Sequence, residues 1–163
     1  TLSSESVRYN PMAYHNGSVW PHDNALIALG MGRYGLRRAA LAILRGMYDS
    51  AFRMELMRLP ELFCGFPRRT AAPTLYPVAC TPQAWAAVAP YALLEACLGM
   101  SFDVSRKEIL FNTPILPEFL DGLRIDNICI ADSSVDLAFR RDGDTVAVTA
   151  IARRGDIAVR VAK

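Results

Sequence analysis

The apolar residues of this chain change their spacing near residue 100, and that change limits the folds open to it. Before residue 100 they recur every three to four positions, the repeat of a helix with one buried face. Ile27, Met31 and Tyr34 keep that spacing, as do Ala40, Ile43, Leu44, Met47, Ala51 and Met54. After residue 100 they alternate. Val135, Leu137 and Phe139 are separated by Asp136 and Ala138, and the pattern returns in Val146, Val148 and Ala150 and in Ile157, Val159 and Val161. Alternation is the repeat of a half-buried strand. One chain therefore carries a helical part, residues 1–100, and a strand part, residues 101–163.

Three helices are expected in the first part. His22–Tyr34 ends at Gly35, a residue suited to a left-handed cap. Arg37–Glu55 follows. Gln83–Leu98 has Thr81 and Pro82 at its start and Gly99 after its last turn. This third helix is apolar nearly all round, which predicts burial on every side. The 25-residue connection Leu56–Cys80 holds Pro60, Pro67, Pro73 and Pro77 together with Phe63, Phe66 and Tyr76. Long loops with such residues usually carry function. In the second part, Leu123–Ile130 and the three alternating runs predict a small antiparallel sheet. Asp142-Gly143 and Gly155-Asp156 mark its turns.

Composition narrows the function. Hydrophobic residues make up 52% of the 163 and charged residues 21%, which excludes a disordered chain. A net charge of +2 argues against nucleic acid as a partner. The uncharged stretch Ala84–Leu94 is cut by Pro90, short of the roughly 20 residues a membrane helix needs. Cys64, Cys80, Cys97 and Cys129 form no CxxC pair, so zinc is not expected and free thiols in a reducing cytoplasm are. Thr1 opens the chain with no signal-peptide pattern, which we read as a start inside a longer protein. Gly30–Gly35 fits GxGxxG but closes a helix instead of opening one, so no dinucleotide site is expected. His15, His22 and Asp23 lack the spacing of a metal site.

Two segments hold chemistry. Tyr14–Asn24 gathers Trp20, His15, His22, Asp23, Asn16 and Asn24, side chains that bind sugar faces and hydroxyls. The same residues also suit a capping loop around a buried Trp, and the pattern alone does not separate the two. Glu61 stands among Leu59, Pro60, Leu62 and Phe63. Apolar surroundings raise a carboxyl pKa and suit it to proton transfer; an ion pair with Arg58 or Arg68 is the structural alternative. Gln83 and Trp85 open the third helix, where core packing explains Trp85 equally well.

Taken together, Tyr14–Asn24, Leu59–Phe66 and Tyr76–Trp85 resemble the C-terminal part of bacterial amylo-α-1,6-glucosidases, the glycogen debranching enzyme-like proteins. These are inverting glycoside hydrolases built on an (α/α)6 barrel, in a group that includes glucoamylases, trehalases and mannosylglycerate hydrolases. The resemblance implies a mainly α fold: the C-terminal part of an (α/α)6 toroid over residues 1–100, then an antiparallel β tail over 101–163. It implies that Glu61 is the general base and that the general acid lies upstream, in barrel segments absent from this sequence. It implies that His15, Asn16, Trp20, His22, Asp23 and Asn24, with Gln83 and Trp85, contact an oligosaccharide or branched α-glucan. No cofactor, metal, nucleic acid or membrane is implied, and the location is cytoplasmic. Two alternatives keep the sequence and change the function: a non-catalytic sugar-binding or packing fragment, and a related hydrolase for trehalose or mannosylglycerate.

Overall fold

The computed structural model describes residues 1–68, 72–143 and 145–162. Three α-helices come first: α1 (Pro21–Arg33), α2 (Arg37–Ala51) and α3 (Ala84–Leu98), with a 3-10 turn at Glu55–Met57. Six strands follow: β1 (Met100–Asp103), β2 (Glu108–Asn112), β3 (Gly122–Ile130), β4 (Ser133–Asp142), β5 (Thr145–Arg154) and β6 (Ala158–Ala162). They form two three-stranded sheets, ordered β1-β2-β6 and β3-β4-β5. No helix among the described residues is long and apolar enough to cross a membrane.

The mainly α expectation is wrong. Helix and strand each take 29% of the chain, and the fold class is α/β. The error has a local cause. In β2, Ile109 and Phe111 face inward, yet the alternate residue Leu110 is also apolar, so the strand does not read as an alternation. The β1–β2 turn contains neither Gly nor Pro. It is held by Asp103, whose Oδ1 accepts from Ser105 Oγ at 2.6 Å and from the Arg106 N–H at 3.1 Å. The tail is not one antiparallel sheet either. β6 runs parallel to β2, with Glu108 opposite Ala158 and Asn112 opposite Ala162.

The chain divides into two compact units. One comprises Thr1–Gly30 and Ala42–Leu93; the other comprises Met31–Leu41 and Leu94–Lys163. In the first, the buried residues include Ser18 ahead of α1, Ala25 and Ala28 of α1, Leu44 and Met47 of α2, Ala86, Ala89 and Leu93 of α3, and the run Leu59–Cys64. The face of α3 that bears Trp85, Val88 and Tyr91 is exposed, so this helix is not buried all round as its composition suggested.

The second unit has a conventional core. Leu98, Ile109, Phe111, Val135, Leu137 and Phe139 are fully or almost fully buried. Phe111 and Phe139 meet edge to face, centroids 5.2 Å apart, a geometry that adds to their area burial. Ser133, Val135, Leu137 and Phe139 point inward along β4. Beyond them Arg141 turns Nη2 onto the carbonyls of Leu116, Pro117 and Leu120. One guanidinium thus anchors the loop between β2 and β3. Arg141→Met keeps much of the apolar stem and removes the donors. It should cost about 1–3 kcal/mol, the price of leaving a buried acceptor unmet. Urea unfolding checks this, and an unchanged midpoint would show that the loop needs no anchor.

Candidate active site

The first unit assembles three segments that are far apart in sequence. Val19 and Phe63 form a bridge through two backbone hydrogen bonds of 2.9 Å, and Phe63 bridges Leu75 on its other side. The Cys64 N–H donates to Thr74 O at 2.9 Å, and the Glu61 N–H donates to Cys80 O at 3.0 Å. Residues 14–24, 59–66 and 74–85 are thereby held side by side. Glycine makes the contact close enough. A Cβ on Gly65 would lie 1.9 Å from Gly17 O, and one on Gly17 would lie 1.9 Å from Asn10 O. No other residue fits at either place without moving the backbone. The Gly65 N–H donates to Pro11 O at 2.9 Å, and Tyr9 Oη donates to Gly65 O.

Glu61 is buried, 7% exposed, at the centre of this assembly. Both its oxygens are engaged. Oε2 accepts the Cys80 N–H at 3.0 Å, and Oε1 accepts the Tyr14 hydroxyl at 2.7 Å. Donors aimed at a carboxylate stabilise its charged form. The Cys80 amide and the Tyr14 hydroxyl, in that order, hold the Glu61 carboxyl below the usual range; burial opposes them without prevailing, and His22 adds to them. The expectation of a raised pKa is therefore corrected. It counted the apolar neighbours of Glu61 in sequence and missed two hydrogen-bond donors from distant segments. The same contact pushes the Tyr14 phenol up to about 12, with burial adding to it. Neither Arg58 nor Arg68 pairs with Glu61 among the described residues. Arg68 pairs with Asp49 at 3.0 Å.

Aromatic rings surround Tyr14. Trp20 meets it edge-on at 4.7 Å, His15 at 4.9 Å and Tyr76 at 5.4 Å. Trp20 Nε1 donates to Tyr14 O at 3.1 Å, so the indole locks the loop that presents the phenol. His22 stands edge-on to Trp20 and stacks on Trp85, with centroids 4.6 Å apart. Trp85 is 43% exposed, which rules out core packing as its role. His22 Nε2 lies 3.0 Å from Asp23 Oδ1, while Nδ1 is buried and has no hydrogen-bond partner among the described residues.

The other candidates divide. Asn24 Nδ2 donates to Trp20 O at 2.8 Å, and Gln83 Oε1 accepts from the Ala84 N–H at 3.1 Å. Both spend polar atoms on the local backbone, as capping residues do. Asn16 is exposed, and its carbonyl accepts the Asn10 N–H at 3.3 Å. His15 is exposed at the rim of the ring cluster. Two participants were not singled out from sequence: Tyr14 as the donor to Glu61, and the backbone of Cys80. Tyr14 stands in the first segment, but a carboxylate partner 47 positions away leaves no local signal. Among the described residues no three His, Cys, Asp or Glu side chains gather to hold a metal ion.

The arrangement offers a fixed, ionised carboxylate beside aromatic surfaces. Such a carboxylate can take a proton from water, and such rings can cover the apolar face of a sugar. No protein-family model matches this chain, and no characterised protein matches it.

Proposed function

We propose that this chain contributes the general base and part of the sugar site of an inverting glycoside hydrolase acting on α-glucosidic linkages, with α-1,6 branches of glycogen-like glucans as the substrate. One observation supports the reading most: Glu61 is buried yet kept ionised and oriented by Tyr14 and Cys80. A general base must be ionised when substrate binds. It must also point at one water, and two donors on its two oxygens fix its plane. Each oxygen retains a second lone pair for that water. In the proposed reaction Glu61 takes a proton from water as its oxygen bonds to the anomeric carbon and the glycosidic bond breaks. The leaving oxygen takes a proton from a second carboxyl group, about 6.5–9.5 Å from the first in enzymes of this type. The reading assigns that group to the protein outside these 163 residues. Trp20, His22 and Trp85 would line the sugar through their ring faces.

The stereochemical outcome tests this reading. The complete protein carrying this chain is mixed with an α-1,6-branched limit dextrin, and the anomeric protons of released glucose are followed by NMR. First-formed β-glucose supports inversion at an α-linkage. First-formed α-glucose, or no glucose, removes the proposal.

Tyr14→Phe gives a second check. Loss of the phenol hydroxyl takes away a donor that holds the Glu61 pKa down, so that pKa rises. The acid limb of the pH–rate profile then moves to higher pH. The stability term has the same sign logic. A depressed Glu61 pKa stabilises the fold above the unfolded value of about 4.3 and is lost as pH falls through the folded value. Tyr14→Phe should shrink this contribution. A rate profile identical to wild type would show that Tyr14 does not set the charge of Glu61.

A second reading, sugar binding without turnover, is favoured by the engagement of both Glu61 oxygens. It predicts that Trp20→Ala and Trp85→Ala weaken binding of an isomalto-oligosaccharide while no variant or wild type releases glucose.

A further inference from the structure

Beside α2, away from Glu61, the first unit has an open cleft of about 680 Å3. That is within the range of small-molecule sites. Its walls are Val19 and Met47 with the rings of Phe63 and Phe66. Glu61, Trp20, His22 and Trp85 do not line it. Several polar groups of its walls are already spent on the protein. Ser50 Oγ donates to Gly46 O at 2.8 Å, Cys64 Sγ lies 3.6 Å from Leu75 O, and Arg68 is paired with Asp49. Arg53 also lines the cleft, is exposed, and has no hydrogen-bond or ion-pair partner for its guanidinium among the described residues. Gly46 stands one helical turn from Ser50 on the same face of α2, and a Cβ there would meet nothing within 4 Å. Glycine is a poor helix former, and no neighbour among the described residues requires it at this position. Its effect is to widen the cleft.

We propose that this cleft binds a small aromatic monoanion. The ring body would lie between Phe63, Phe66 and Met47, where apolar burial and edge contacts favour a flat ring. The single negative charge would lie on Arg53. The assignment to an anion rests on charge complementarity: among the described residues, the Arg53 guanidinium is unpartnered and the lining is mainly apolar. It does not depend on the hydrolase reading.

The test uses two dyes of similar shape, anionic 1-anilinonaphthalene-8-sulfonate and neutral N-phenyl-1-naphthylamine, titrated against the full chain by fluorescence. Wild type is expected to bind the anion at one site. Gly46→Leu, which places a side chain in the open space and improves the helix, should abolish that binding. Arg53→Gln, an exposed change that leaves the fold intact, should weaken the anion about tenfold or more and leave the neutral dye unchanged. No anion binding to wild type overturns the proposal. So does binding that persists in Gly46→Leu, since the dye would then sit on exposed helix surface. Equal behaviour of the two dyes in Arg53→Gln overturns the choice of an anion.

Discussion

Replacing Glu61 by Gln in the complete protein is expected to cut glucose release from an α-1,6-branched limit dextrin by about 10²–10⁴-fold, the usual contribution of a positioned base. Gln keeps the shape of Glu and can still accept one of the two donors, the Tyr14 hydroxyl or the Cys80 N–H, through its carbonyl oxygen. It cannot take a proton from water. Sugar affinity should therefore survive, because the rings of Trp20, His22 and Trp85 are untouched. The loss should fall in kcat and leave KM near its original value, the mark of an interaction used in the transition state. An opposite result is easy to recognise. Equal turnover by the two proteins would remove Glu61 from catalysis, and its hydrogen bonds would then serve the loop alone. The two oxygens are not equivalent in this variant. Only one can be the amide nitrogen, and that nitrogen faces a donor, Tyr14 or the Cys80 amide. Tyr14 is the easier to relieve, since a hydroxyl can turn to accept where a backbone N–H cannot. Gln should accordingly place its oxygen toward Cys80. A modest loss of stability is expected with the loss of activity, and Tyr14→Phe combined with Glu61→Gln should cost less than the sum of the two single changes.

Much of this arrangement was legible from sequence, for reasons that differ by residue. Gly35 and Gly99 were read as helix ends, and both have positive φ, +76° and +57°. The signal is local: only a residue without Cβ takes that conformation cheaply. The alternating runs of β4 and β5 were readable because one face of each is buried more than the other. What stayed hidden was non-local. Nothing near Glu108 in sequence announces a parallel partner at Ala158, so β2 and its sheet went unread and the chain was taken as mainly α. Trp85 reads as a core residue by composition, and its exposure depends on which elements cover α3. Glu61 shows the same limit in its chemistry. Its sequence neighbours are apolar and argue for a raised pKa, while the groups that set its charge come from residues 14 and 80. The three segments around Glu61 were read separately. They meet because Val19, Phe63 and Leu75 share backbone bridges, a pairing that no single segment reveals.

Gly99→Ala is expected to destabilise the second unit more than any other single methyl addition at its glycines. Gly99 ends α3 and leads directly into β1. Its φ of +57° costs an L-residue about 1–2 kcal/mol. Space is the second obstacle. An added Cβ would lie 2.2 Å from Asn112 O and 2.6 Å from Arg37 Nη2. The Arg37 side chain is buried, so it cannot swing into solvent. Asn112 cannot retreat freely either, because its N–H donates to Gly99 O at 3.0 Å and its strand carries the fully buried Ile109 and Phe111. Overpacking of this kind adds about 1–3 kcal/mol, for a total of about 2–5 kcal/mol. In a chain of this size that lowers the melting temperature by on the order of 10 °C. Gly35→Ala supplies the control. Its φ is also positive, at +76°, but a Cβ there meets nothing within 4 Å. Only the backbone term applies, and the loss should stay near 1 kcal/mol. Thermal melts followed by circular dichroism compare the two. A large gap between them assigns the effect to the contact among α3, Arg37 and β2. Equal losses would mean that backbone conformation alone explains Gly99 and that β2 yields to the methyl group.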